Sequence, residues 1–387
     1  MEIAPFFEPV NLKNENFKDG FLGHHTHFFQ KDLEKEKLQG FDLAIIGVPE
    51  ERNAVNNKGT AKGADQFRKF FYHHTTGVVQ PKLIDLGNFK PGETIEDTYT
   101  GLTNVLADLL ELRITPIIIG GSQDITFSNF KAYERSEQLV NIVSIDNAFD
   151  LGDVGDDLKS NAFLNKIILH HPNYLFNFAN IGYETYFVTQ EEQELMAKLH
   201  FDTYRLGEIR ADLTEAEPII RNADIISFDL SAIRHSDAPG NKNVAPNGFY
   251  GEEACQLTRY AGLSDKLSSI GFYELNPNAD ERGQTAYLLS QMVWYFIDGF
   301  YSRKDEVPER DNKEFLKYII NSEKHENNLV FLKNLKTDRW WMDIPHPNNS
   351  ILKYKRHQFV PCSYKDYLAA CKDEMPDRWL KTFQKLV

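Results

Sequence analysis

Short runs of apolar residues, each bounded by turn-forming or charged residues, recur along the first three quarters of the chain. Near-continuous Val and Ile runs of this kind are typical of strands that are buried on both faces, as in a parallel sheet. The pattern predicts six core strands, at residues 41–50, 81–87, 114–122, 140–146, 223–231 and 267–277.

Segments with apolar residues at helical spacing lie between these strands. The pattern predicts helices over 93–113, 189–201 and 281–301. The second is preceded by Thr189 as an N-cap, with Glu192 three residues later, which is the spacing of a capping box. Alternation of strands and helices predicts an α/β fold with a parallel sheet.

The composition changes near residue 303. Residues 303–387 are charged and aromatic, and they contain Trp340, Trp341 and Trp379, three of the four tryptophans. We therefore divide the chain into an N-terminal extension (1–40), an α/β domain (41–302) and a C-terminal extension (303–387). The extension is expected to pack on the core, although aromatic residues together with arginines also suit an interface with a protein partner.

Charge and cysteine content exclude several classes of protein. The chain has 387 residues and a formal net charge of −14, which argues against nucleic-acid and anionic-membrane partners because both need a positive surface. Three cysteines provide no disulfide framework. The sequence begins without a basic and apolar leader, and no apolar stretch is long enough to cross a membrane. We expect a cytoplasmic protein.

Polar residues cluster at the ends of four predicted strands, where ligands bind in open α/β sheets. The segments are GGSQDIT (120–126), DNAFD (146–150), SFDLSAIRHSDAPG (227–240) and ELNP (274–277). Each is weak evidence alone, because an aspartate after a strand is usually a cap or a turn residue. Their order along the chain is more specific than any one of them.

With these segments in this order, the chain resembles the ureohydrolase family of arginases, agmatinases and formimidoylglutamases. That family carries GGDHS, DAHxD and SFDxDxxDPxxAPG at three successive strand ends. The resemblance covers about residues 40–301 and includes GVPEE and YELNPNADERGQTA. It implies a three-layer α/β/α sandwich with a mostly parallel central sheet. It also implies two manganese ions whose bridging hydroxide attacks a guanidinium or amidine carbon.

The chain departs from the family at three of the six expected metal ligands. Histidines of the family are replaced by Gln123 and Ala148, and an aspartate by Ser231. Only Asp146, Asp150 and Asp229 remain as ligands. A manganese pair needs imidazole and carboxylate ligands, so we expect no cofactor, with manganese kept as the alternative.

Two other arrangements of the site remain open. A basic side chain could replace the metal charge, and the candidates are Arg234, Lys166 and Arg282. Alternatively, one hard cation, Mg²⁺ or Ca²⁺, could bind an all-oxygen set. That set comprises Gln123, Asp146, Asp150, Asp229 and Ser231.

Glu274 resembles the glutamate with which the family binds a guanidinium group. This implies an amidine or guanidine ligand, unless Glu274 only caps a turn with Asn276. The loop after DAHxD usually carries a histidine, but KSNAFLNK (159–166) has none, and Asn161 is the polar candidate there.

Histidine pairs and a cysteine are less specific candidates. GHHTH (23–27) could bind zinc adventitiously, and the pairs at His73 and His170 have no neighbouring carboxylate pattern. Cys255 is expected to be a small buried residue.

Two functions follow from these observations. The first is a catalytically degenerate ureohydrolase homologue that serves as a binding, scaffold or regulatory protein. The second is a metal-dependent hydrolase of a linear amidine or guanidine C–N bond with an altered metal site. The resemblance also implies a homo-oligomer, unless the C-terminal extension blocks or replaces the interface.

Overall fold

Ten strands form the central sheet, and every neighbouring pair except β1 with β4 is parallel. The computed structural model describes residues 3–10, 15–30, 35–152, 159–308, 313–321, 328–345 and 352–386. The strands are β1 (Phe7–Glu8), β2 (His27–Phe28), β3 (Leu43–Gly47), β4 (Leu83–Phe89), β5 (Thr115–Ile119), β6 (Val140–Ile145), β7 (Leu175–Tyr183), β8 (Asp202–Arg205), β9 (Ile225–Asp229) and β10 (Ser269–Tyr273). Their order is β1-β4-β3-β5-β10-β9-β6-β7-β8, and β2 also pairs with β4.

All six predicted core strands are present, as β3, β4, β5, β6, β9 and β10. The sequence did not predict β7 and β8. β7 has the sequence LFNFANIGY and β8 has the sequence DTYR, so neither is a continuous apolar run. β8 is the edge strand, whereas β7 lies between β6 and β8. The asparagines that interrupt the apolar pattern of β7 have partners, since Asn177 Nδ2 donates to Asp202 at 3.0 Å and Asn180 Nδ2 to Ala148 O at 2.8 Å.

Helices cover both faces of the sheet. They are α1 (Leu22–His25), α2 (Gly63–Phe71), α3 (Ile95–Glu111), α4 (Thr126–Lys131), α5 (Phe163–Leu169), α6 (Gln190–Lys198), α7 (Leu206–Ala211), α8 (Ala216–Arg221), α9 (Gly251–Gly262) and α10 (Gln284–Phe300). α3, α6 and α10 confirm the three predicted helices. The predicted capping box of α6 is also confirmed, because Glu192 N donates to Thr189 Oγ1 at 3.2 Å and Thr189 N donates to Glu192 Oε2 at 2.7 Å.

Two hydrophobic clusters lie on opposite faces of the sheet. Ile45 and Ile117 belong to the cluster that includes residues of α2, α9 and α10, whereas Ile46 and Ile118 belong to the cluster that includes residues of α3, α4 and α5. Neighbouring residues of one strand alternate between the faces. The three-layer α/β/α fold with a mostly parallel sheet is therefore confirmed.

The first forty residues contribute to this sheet. β1 pairs antiparallel with β4, and β2 pairs parallel with the same strand. Phe7 and Phe29 are buried in the core. The described part of residues 1–40 therefore extends the α/β core itself, and does not form a separate layer.

The described residues between 303 and 386 form a unit that we call the C-terminal module. Its strands β11 (Phe315–Ile320), β12 (Leu329–Asn334), β13 (Trp340–Asp343) and β14 (Phe359–Cys362) form an antiparallel sheet in that order. This sheet packs with α11 (Tyr364–Cys371) and α12 (Asp377–Leu386), and Trp340 and Trp379 are buried between them. The module therefore has a hydrophobic core of its own.

Opposite charges join the module to the α/β core. Residues 303–387 carry 17 Lys and Arg against 13 Asp and Glu, whereas residues 1–302 carry 26 against 44. Five core carboxylates each pair with a basic side chain of the module. The pairs are Asp202–Lys381, Asp212–Lys365, Glu215–Arg378, Glu217–Arg339 and Asp224–Arg356.

The module lies at the amino ends of the core strands. Asp202 is the first residue of β8, and Asp224 immediately precedes β9. Arg221, at the end of α8, stacks on Trp341 with 4.2 Å between the guanidinium carbon and the ring centre. The polar residues lie at the opposite, carboxyl ends of the strands, which the module does not cover. Across the described ranges, no helix is both long and apolar enough to cross a bilayer.

We predict that Arg356→Ala lowers the free energy of unfolding by about 2–3 kcal/mol, since it leaves a buried carboxylate without its closest cation. Asp224 is fully buried, accepts from Arg356 Nη2 at 2.8 Å, and has its next cation, Lys266 Nζ, at 3.8 Å. Urea denaturation of the purified protein measures this change.

Lys365→Ala is the matched control, because Lys365 pairs with Asp212 at the exposed rim of the same interface. Exposed ion pairs contribute less than about 1 kcal/mol. If both variants lost the same free energy of unfolding, the buried ion pair between Arg356 and Asp224 would not be the stronger interaction.

Candidate functional site

Four neighbouring strands deliver the polar residues to one edge of the sheet. β5, β10, β9 and β6 lie side by side and are parallel. Their carboxyl ends therefore meet at the same edge, where loops can converge on a ligand. Gln123 follows β5, Glu274 follows β10, Asp229 ends β9 and Asp146 follows β6.

The loop after β5 requires glycine. A Cβ atom on Gly121 would lie 1.7 Å from the carbonyl oxygen of Glu50. Gly121 O accepts a hydrogen bond from Glu274 N at 2.8 Å, and Ser122 N donates to Glu50 O at 3.0 Å. This close approach of three chain segments brings Gln123 beside Glu274.

Four acidic side chains converge at this edge. Asp146, Asp229 and Glu274 are buried, and Asp150 is half-buried. Burial raises the pKa of Asp146 to about 6 and that of Glu274 to about 7. Burial, followed by the negative charge of Asp146, also holds the pKa values of Asp150 and Asp229 well above their usual range.

The hydrogen-bond donors around these acids are neutral. Ser231 N donates to Asp229 Oδ1 at 2.6 Å, and Asn241 Nδ2 reaches the same oxygen at 3.4 Å. Ala148 N donates to Asp146 Oδ1 at 3.2 Å. Within the part of the chain that the structure describes, no Lys, Arg or His side chain bonds to any of the four acids.

Arg234, Lys166 and Arg282 do not replace the metal charge in this structure. Arg234 pairs with Asp237 at 2.8 Å, and its guanidinium carbon lies 3.8 Å from the centre of the Tyr250 ring. Lys166 Nζ lies 5.9 Å from the Phe127 ring centre, and Arg282 is exposed. The prediction for these three residues is wrong, because Arg234 and Lys166 contact other residues and Arg282 is exposed.

The three replaced ligand positions do not fit a manganese pair. The amide Nε2 of Gln123 donates to Ser227 Oγ at 3.2 Å and to Ser144 Oγ at 3.5 Å, on two neighbouring strands. Ala148 has no side-chain donor atom, and Ser231 Oγ donates to Asp146 Oδ1 at 3.5 Å. Among the described residues, no three His, Cys, Asp or Glu side chains form a group that could hold a metal ion.

Glu274 lies against Gln123 and Asn57 and does not cap a turn. Its Oε1 accepts from Gln123 N at 3.0 Å, and its Oε2 accepts from Asn57 Nδ2 at 2.8 Å. Asn276 caps the following turn instead, with its Oδ1 accepting from Asn278 N at 3.0 Å. Glu274 has a φ of +70°, a left-handed conformation that is uncommon outside glycine and that often accompanies function.

Asn161 and Phe149 belong to the surroundings of the site. Asn161 is exposed, and its carbonyl oxygen accepts from Gly152 N at 2.9 Å. Phe149 is buried and packs on Tyr183 with 4.8 Å between ring centres. Phe149 is therefore part of the core, although it lies between two of the site aspartates in the sequence.

The remaining candidates lie elsewhere. His25 Nε2 is 3.3 Å from Asp19, and His73 Nε2 is 3.3 Å from Glu15. His170 pairs with Glu134, so both histidine pairs have a carboxylate neighbour that the sequence pattern around them did not indicate. Cys255 is buried in α9, which confirms its prediction, and burial raises the pKa of its thiol to about 12.

Sequence reasoning missed Asn57, Ser144 and Asn241. Ser144 lies on β6 inside an apolar run, and Asn57 lies in the loop after β3. Asn241 directly follows the Ala-Pro-Gly segment. The only signal was a polar residue within an apolar strand, and such a residue is costly to bury without a partner.

Comparison with known proteins places this architecture in a family. The model of the arginase family matches residues 41–298. This chain belongs to the arginase family. Formimidoylglutamase of Bacillus subtilis is 22% identical over 280 residues, which cover 66% of this chain and 86% of that protein.

Solved structures of arginase-family members have the same fold. The formimidoylglutamase of Bacillus subtilis superposes with a TM-score of 0.67 at 19% identity, covering 76% of this chain and 97% of that one. Formiminoglutamase of Trypanosoma cruzi, determined with Mn²⁺, gives a TM-score of 0.64 at 22% identity and covers 70% and 96% of the two chains. The C-terminal module lies outside the residues that the arginase family model matches.

We predict that the free energy of unfolding in EDTA falls as the pH rises from about 5 to about 8. The site acids bind protons more tightly in the folded chain than in the unfolded chain, where aspartate titrates near pH 4. Their stabilising contribution is therefore complete below about pH 4 and is lost as the pH rises through about 6 to 7.

Asp150→Asn should raise the free energy of unfolding at about pH 8 by at least about 1 kcal/mol, the equivalent of one pKa unit.

Asp212→Asn is the control, because the pKa of Asp212 is lowered, whereas the pKa values of the site acids are raised. Hydrogen bonds from Lys365 and Thr214 lower the pKa of Asp212 to about 2, so its contribution is present above about pH 4 and is lost only as the pH falls towards about 2. This variant should leave the slope between pH 5 and 8 unchanged. A flat stability profile in the wild type over that range would rule out the uncompensated acidic cluster.

Proposed function

We propose that this chain is a binding protein for a small organic cation of the amidinium or guanidinium type, and that it has lost the manganese chemistry of its family. The observation that supports this most directly is the set of four converging acids, Asp146, Asp150, Asp229 and Glu274, surrounded by neutral donors. Acids in such a set must either hold protons or take up a cation.

A cationic ligand would fit this set better than a metal pair. Gln123, Ala148 and Ser231 supply an amide, a methyl group and a hydroxyl where two imidazoles and a carboxylate would be needed. A guanidinium or amidinium group needs only oxygen acceptors in a plane. Glu274 would receive the cation, and the aspartates would balance its charge.

The C-terminal module supports a binding or regulatory role. It has its own core and lies at the end of the sheet opposite the acids, so it leaves their edge free. Its surface carries exposed Leu316, Ile319, Tyr364 and Leu368, which are residues of a kind that contact protein partners. We propose that this surface contacts a protein partner.

The second candidate is an amidine or guanidine hydrolase with an altered metal site. The relatives named formimidoylglutamase favour it, as does the retention of Asp146, Asp150 and Asp229. Such an enzyme would hold one hard cation, Mg²⁺ or Ca²⁺, or manganese, on an all-oxygen set. Activity towards N-formimidoyl-glutamate, arginine or agmatine would then depend on added metal.

We predict that the wild-type protein holds no stoichiometric metal after incubation with excess Mn²⁺, Mg²⁺ or Ca²⁺ and desalting. Elemental analysis measures this content, and assays of the three substrates run in parallel. Two manganese ions per chain, or metal-dependent turnover, would make the hydrolase the correct assignment.

The matched variant carries Gln123→His, Ala148→His and Ser231→Asp together. Phe149 packs on Tyr183 and Arg234 pairs with Asp237, so both side chains already have partners of their own. We expect this variant to bind about one to two manganese ions per chain, as three restored ligands complete the donor set of a metal pair. Ala148→His alone should bind none.

A further inference from the structure

Asn57 connects the loop after β3 to the strand end that carries Glu274. Its side chain is fully buried. Nδ2 donates to Glu274 Oε2 at 2.8 Å and to Glu274 O at 3.0 Å. Oδ1 accepts from Asn276 Nδ2 at 2.9 Å and from Lys242 N at 3.1 Å. One carboxamide has two donors and two acceptor sites, so Asn57 is fully satisfied and joins three loops.

The carboxylate of Glu274 is held at both oxygens. Asn57 donates to Oε2 from one side, and Gln123 N donates to Oε1 at 3.0 Å from the other. The backbone of Glu274 is left-handed and is kept so by its hydrogen bond to Gly121 O at 2.8 Å. Two neutral donors from separate loops therefore fix the plane of this carboxylate.

We propose that Asn57 is the positioning residue that orients Glu274 and makes the site selective for a planar cation with two parallel N–H groups. This inference rests on the proposed function. Each oxygen of Glu274 keeps a lone pair beyond the one that its neighbour uses. A planar amidinium donates to both oxygens at once, whereas an alkylammonium of equal charge has no such fork.

A merely structural Asn57 would hold the loops together without affecting which cation binds. The two roles differ in their effect on selectivity. Loss of positioning lets the carboxylate rotate, which weakens a two-point contact and leaves a single point-charge contact almost unchanged. Loss of structure alone weakens both contacts alike.

The test compares Asn57→Ser with Asn243→Ser. Asn243 is exposed and ties the same loop by donating from Nδ2 to Val55 O at 3.0 Å, but it makes no hydrogen bond to Glu274. Thermal unfolding and circular dichroism establish that both variants fold. Isothermal titration with acetamidinium and methylammonium then gives the two affinities of each protein.

The wild type should bind acetamidinium about tenfold more tightly than methylammonium, the ratio expected for one additional charge-assisted hydrogen bond. In Asn57→Ser this preference should disappear through loss of acetamidinium affinity, and in Asn243→Ser it should persist. An equal loss of both affinities in Asn57→Ser would overturn the positioning role.

A second measurement does not require a ligand. The backbone N–H of Gln123 donates to Glu274 Oε1. The hydrogen exchange of this backbone amide therefore reports whether the carboxylate stays in place. Exchange of this amide should accelerate about tenfold or more in Asn57→Ser, as one hydrogen bond to a charged group is lost, and should not change in Asn243→Ser. Unchanged exchange in Asn57→Ser would overturn the positioning role.

The titrations test the proposed function, and the hydrogen exchange of Gln123 tests the positioning role of Asn57 separately. If the wild type binds neither cation, the proposed function fails, and accelerated Gln123 exchange in Asn57→Ser would still establish that Asn57 orients Glu274. In that case selectivity for a planar cation is overturned together with the function.

Discussion

Four acidic side chains share one buried edge of the sheet with only neutral donors around them, and this electrostatic constraint governs the rest of the site. Carboxylates that are desolvated together repel one another, so each holds its proton more tightly than in water. Burial raises the pKa of Asp146 and of Glu274. At Asp150 and Asp229 the negative charge of Asp146 adds to the effect of burial. Backbone amides, serines and asparagines stabilise the ionised forms only in part, and this is the cluster where we propose that a cation binds.

The neutral donors also include the side chains at two of the positions where the arginase family carries metal ligands. Gln123 is engaged by hydroxyl groups of Ser144 and Ser227 on neighbouring strands. Ser231 donates to Asp146 through its hydroxyl and to Asp229 through its backbone amide. The replaced positions therefore belong to a hydrogen-bond network of their own, and each now stabilises its neighbours.

The C-terminal module shows the same constraint at the other end of the molecule. The α/β core carries a large excess of acidic residues, and the module carries an excess of basic ones. Burial of Asp224 at this interface is compensated by Arg356 and Lys266, as a buried carboxylate requires. At the amino ends of the strands a buried carboxylate therefore has basic partners, whereas the site acids at the carboxyl ends have neutral donors among the described residues.

Local patterns in the sequence determined much of this protein. Apolar runs predicted the six inner strands, because a strand buried on both faces cannot carry polar residues without partners. Helical spacing predicted α3, α6 and α10, and motif order predicted the family. β7 and β8 were not predicted because polar residues interrupt their apolar pattern. In β7 these residues are asparagines whose hydrogen-bond partners only the folded chain supplies.

Only the tertiary structure decided what surrounds each site residue. The sequence placed Arg234 near the aspartates, but its guanidinium group pairs with Asp237 and stacks on Tyr250. Asn57 lies 217 positions from Glu274 in the chain, yet its side chain fixes that carboxylate at 2.8 Å. Strand spacing along the chain carries no record of such contacts, because hydrogen bonds and ion pairs depend on distances that folding alone sets.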